Sequence, residues 1–160
     1  MVNFKVSLKH LTLASDRARR MFQMDCLESQ RDKTDGLYRW EFARVLDSDA
    51  FGIVLAIIHG QSELIPEQPS VRMLAEIAAV VDDLQCHSPV SFFAKAWIAG
   101  LRTQIPTVES QELFDWLCIS LVFRDSVIFE KTTRVAIEES IGPVEDHGLP
   151  IPPKILGKLC

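Results

Sequence analysis

No long hydrophobic stretch runs through this 160-residue chain. The longest wholly apolar run is IVLAII, Ile53–Ile58, far short of the roughly 18 residues that suggest a membrane span. Basic charge is scarce too. Seventeen lysines and arginines face 22 acids, for a net charge of -5. The average field therefore repels phosphate backbones and argues against nucleic acid as a direct ligand. The one dense basic stretch, DRARR at 16–20, carries Asp16 beside its arginines and reads as a solvated helix face. Glycine is thin. Gly52, Gly60 and Gly100 stand alone, so no phosphate-cradling loop is present. The four cysteines, Cys26, Cys86, Cys118 and Cys160, and the histidines at 10, 59, 87 and 147 never pair at metal-ligand spacing. Scattered thiols with no signal-peptide-like run before them point to a reducing compartment, cytoplasmic and/or nuclear. Cys160 is the last residue, so the prenylation pattern is missing.

What is present is apolar helix. The chain is 48% hydrophobic, enough for the core of one domain, and its mean hydropathy of +0.12 points to some apolar surface covered by a partner or a second copy. In FKVSLKHLTLAS, Phe4, Val6 and Leu8 alternate with polar residues as in a half-buried strand, and Leu11 and Ala14 then fall at helical spacing. LYRWEF, 37–42, alternates again and predicts a second strand with Tyr38, Trp40 and Phe42 on its inner face. Between them, Ser15 caps a helix running to about Met24.

Further helices follow. One is capped by Asp47 or Ser48 and stopped by Gly60, and the next is capped by Ser70. Ser88-Pro89 predicts a third start and Thr107 a fourth, and a last helix spans about 126–140. Strands first and helices after imply an α+β, helix-dominated architecture with two or three strands.

Catalytic constellations are absent from the pattern. Cys86 and His87 are adjacent, and adjacent residues at a helix end point apart. The Asp82-Asp83 pair falls on a polar helix face. Cys118 or Asp115, with Trp97 and Trp116 lining a pocket between the late helices, is what an enzyme reading would have to use. No cofactor or metal is expected.

The ordered segments FKVSLKHLTLAS, DSDAFGIVLAIIHGQ, MLAEIAAVVDDLQCH, FFAKAWI, LFDWLCISLVFRDS and GLPIP together resemble the BTB/POZ-domain proteins abundant in filamentous fungi, over roughly residues 4–153. The resemblance implies a BTB/POZ-like domain over 1–104 and a helical extension over 105–141; the rest, 142–160, reads from its own residues as a proline-rich tail. The resemblance also implies non-catalytic protein association: homodimers, a substrate adaptor on a cullin scaffold, or a transcription cofactor acting through partners. Phe4, Val6, Leu8, Leu11, Arg17 and Met21 would then form the dimer or partner face. Leu64 and Glu67, in the loop SELIPEQ, would meet a further partner. Two departures bear on that face. The family's first strand has no counterpart before Phe4, which leaves an exposed strand edge and weakens homodimerisation. Where the family reads LASPVFRAMF this chain reads LASDRARRMF, with Ala18 in place of a phenyl ring and Arg17 placed to lay its stem over the gap.

Overall fold

The computed structural model describes residues 2–24, 27–42, 46–108 and 110–139. Its helices begin where a polar side chain can take an orphan amide. α1 (Leu8–Ala14) is capped by Ser7, and α2 (Asp16–Gln23) follows with only Ser15 between, which closes one helix and opens the other. α3 (Ser48–His59) starts at Asp47, whose carboxylate accepts from the amides of Asp49 and Ala50 at 3.0 and 2.9 Å, and stops at left-handed Gly60. α4 (Val71–Leu84) starts at Ser70, which accepts from Met73 N–H at 3.1 Å. α5 (His87–Leu101), α6 (Gln111–Phe123) and α7 (Ser126–Glu139) complete the order.

Two predicted starts move. α5 begins at His87, so Pro89 sits inside the first turn, where its missing N–H is still no loss. α6 is capped by Ser110 rather than Thr107, because the Ser110 hydroxyl is the one that reaches Leu113 N–H, at 3.3 Å.

The larger correction is to fold class. Among the described residues there is no strand and no sheet, so the α+β expectation, and with it the small sheet of a BTB/POZ-like core, is overturned. The alternation in LYRWEF does report sidedness: Tyr38, Trp40 and Phe42 are half-buried while Arg39 and Glu41 are exposed. What alternation cannot report is a partner backbone. No main-chain hydrogen bond joins 4–7 to 37–42 among the described residues. Both segments instead lay a ring on Phe51 of α3. Leu8 belongs to α1, and the expected exposed strand edge does not exist there.

The core is one cluster reaching from Leu11 to Ala136. α4 lies at its centre, touching α2, α3, α5 and α6, with α6 its most extensive neighbour. Residues Leu113 to Ser120 of α6 are all buried, as the apolar residues on both its flanks require. The helices predicted as domain and extension therefore share this core, and the tail over 142–160 lies outside the described residues. The α1–α2 corner is stitched to the end of α4. Ser15, fully buried, donates its hydroxyl to Leu84 C=O at 2.5 Å and accepts from Ala18 N–H at 2.9 Å. Asp16 N–H reaches Gln85 C=O at 3.3 Å, and the Arg20 guanidinium donates to the Gln85 side chain.

Candidate functional site

Six aromatic rings meet end to end across the N-terminal elements. Phe4 packs on Phe51 with ring centroids 5.7 Å apart, Phe51 on Phe42 at 4.7 Å, and Phe42 on Trp40 at 4.4 Å. Phe22 of α2 then stands edge-on to Trp40 at 6.0 Å and to Tyr38 at 5.4 Å. Edge-to-face geometry of this kind is worth about 0.5–1.5 kcal/mol per pair beyond the area buried. The row is half open to solvent: Phe4 is 43% exposed and the other five rings are partly buried.

Two arginines stack on it. The Arg17 guanidinium lies 5.4 Å from the Trp40 ring centre and 5.8 Å from that of Phe42, and also pairs with Asp83 of α4. At the Tyr38 end Arg31 sits 5.1 Å from the ring centre and donates from Nε to its hydroxyl at 3.1 Å. That hydrogen bond raises the Arg31 pKa, so its charge is secure.

Local bonds hold the row in place. The turn between Arg31 and Tyr38 is closed by Asp32, whose amide donates to Leu37 C=O at 2.8 Å and whose carbonyl accepts from left-handed Gly36 at 2.8 Å. The Thr34 hydroxyl and amide, then Arg39, hold the Asp32 carboxyl down at about 2. The N-terminal segment is clasped by His59. Its Nδ1 donates to Leu55 C=O at 2.8 Å, which leaves Nε2 to accept from Ser7 N–H at 3.1 Å. The His10 ring lies against it, 5.4 Å between centroids.

The residues expected at the partner face scatter in role. Phe4 and Arg17 belong to the row, and Val6, two residues on from Phe4, is exposed. Met21 and Leu8 are half-buried. Leu11 is core and presents nothing to a partner. Leu64 is 59% exposed and Glu67 is exposed. Their loop is pinned to α5, where Trp97 donates from Nε1 to Pro66 C=O and accepts from Gln68, both at 3.1 Å. Phe22, Phe51 and Arg31 were not anticipated at such a surface. Periodicity places Phe22 and Phe51 on the apolar stripes of their helices and leaves Arg31 in a polar loop, and is silent on which rings meet through space.

The groups an enzyme reading would use are placed differently. Burial pushes the Cys86 and Cys118 thiols up to about 12, with nearby carboxylates adding to the shift, so neither is a thiolate near neutrality. Asp115, 1% exposed, accepts from Arg72 at 2.9 Å. Trp97 and Trp116 are core residues. His87 opens α5 next to Cys86. Among the described residues no three His, Cys, Asp or Glu side chains converge where a metal could sit, and no helix is long and apolar enough to cross a membrane. No family model matches the chain, and neither does any curated protein or solved structure.

Proposed function

We propose that this protein is a non-catalytic protein-association module that engages its partner through the aromatic row and the arginines stacked on it. The carrying observation is the row itself: six rings in continuous contact, half open to water, with a guanidinium stacked at Trp40 and Phe42 and another at Tyr38. Aromatic residues and arginine are the types that dominate binding energy at protein interfaces, because they bury large area with few rotors to freeze. Val2, Val6, Leu13, Met24 and Leu37 are further exposed apolar residues in the same N-terminal part of the chain. A second copy of the chain is one partner such a surface can take, and a different protein is another.

Lysine crosslinking of complexes purified on the full chain tests the reading. Lys5, Lys9 and Lys33 are exposed in this N-terminal part of the chain, whereas Lys95 and Lys131 stand on α5 and α7. Crosslinks to the partner are expected at Lys5, Lys9 or Lys33, and Phe4→Ser with Val6→Ser should abolish them while leaving helicity unchanged. Crosslinks confined to Lys95 and Lys131, or a complex indifferent to the double substitution, would overturn it.

A further inference from the structure

On other elements, a hollow of about 470 Å³ opens between one face of α5 and the corner joining α6 to α7. Ala94 and Ile98, both buried, and half-buried Phe123 give it an apolar floor. Its rim is cationic: Lys95, Arg102 and Arg124 stand there against a single carboxylate, Asp125. Arg102 is held by Asp125 at 2.8 Å, and Asp125 is itself committed to capping α7. Among the described residues no carboxylate pairs with Lys95 or Arg124. Three cations less one anion leave a local excess of two positive charges, on a chain whose net charge is -5. Unpaired cations around an apolar floor select an occupant that carries both negative charge and a hydrophobic side chain.

We propose that this hollow docks an acidic segment of a partner protein, with an apolar side chain seated on Ala94, Ile98 and Phe123 and carboxylates meeting Lys95 and Arg124. It is a second surface, sharing no residue with the aromatic row, and each can fail without the other.

Arg124 makes the test clean. It closes α6 in the left-handed conformation, φ 58°, where glycine is the least strained residue. Arg124→Gly thus removes the charge while relaxing the backbone. The isotope-labelled full chain is titrated with a short peptide of glutamate and leucine, with its lysine and leucine counterpart, and with inorganic phosphate, while amide chemical shifts are followed. Shifts confined to α5 and the α6–α7 corner are expected with the acidic peptide alone, weakening as salt is added. Arg124→Gly combined with Lys95→Ala should weaken that binding about tenfold with an unchanged or higher melting temperature, and Phe4→Ser should leave it intact. Equal response to the basic peptide, shifts elsewhere, no effect of the paired substitutions, or binding of phosphate without the acidic peptide would each overturn the assignment.

Discussion

Asp125 ties together the corner between α6 and α7. One carboxylate oxygen accepts from Ile128 N–H at 3.0 Å and the other pairs with Arg102. Burial alone would raise its pKa, yet the Ile128 amide and then Arg102 outweigh burial and hold the carboxyl below its usual 3.8. A carboxyl depressed on folding stabilises the protein above the unfolded-state value, and that contribution is lost as pH falls through the folded value. Asp125→Asn keeps the capping shape without the charge. Its melting temperature is expected to lie below that of the wild type at pH 7, with the gap closing as pH is lowered through the carboxylate range. A gap constant in pH would refute this account. Gln85 shows a different way to hold a strained residue. Its left-handed backbone, φ 53°, costs about 1 kcal/mol relative to glycine, and in return its carbonyl and side chain both serve α2.

Between helices, the sharpest electrostatic link is Arg72 of α4. Its guanidinium bridges Glu76, one turn along the same helix, to Asp115 on α6. Burial works against the charge on Arg72, but the two carboxylates more than compensate and raise its pKa. Arg72→Met leaves Asp115 buried and unpaired. The expected loss is about 2–3 kcal/mol, reduced from the fully buried case because Arg72 is half exposed. Adding Asp115→Leu should recover most of it, as read by chemical denaturation, whereas additive losses would show that the pair is not coupled.

The same scale shows what could be read from the chain beforehand. A start at Asp47 or Ser48, a start at Ser70 and the stop at Gly60 were legible, because a cap is a local hydrogen bond written in adjacent residues; the structure selects Asp47. Phe4–Ser7 and 37–42 were misread as strands, because a segment lying on a helix alternates its side chains just as one in a sheet does. Of the aromatic row, the common side of Tyr38, Trp40 and Phe42 was legible, because alternation within one segment is local. The contacts of Phe22 and Phe51 depend on which helix each irregular segment crosses, and no local pattern encodes that.

At the scale of the molecule, one hydrophobic cluster from Leu11 to Ala136 joins all seven helices. A boundary near residue 104 would separate α5 from α6 and α7, but α6 is the main neighbour of central α4. The two parts cannot melt separately without exposing Trp116, Leu117 and Ile119. Thermal unfolding is therefore expected to be a single transition, with calorimetric and van't Hoff enthalpies equal. Two resolved transitions would show that α6 and α7 form an independent unit.

The burial pattern also equips the protein with its own optical probe. Of its three indoles, Trp97 and Trp116 are sealed in the core, and Trp40 alone is in reach of water. Iodide should quench only the Trp40 emission. A partner settling on the rings would shift that emission to the blue and shield it from the quencher, so occupancy can be followed by light with no label attached.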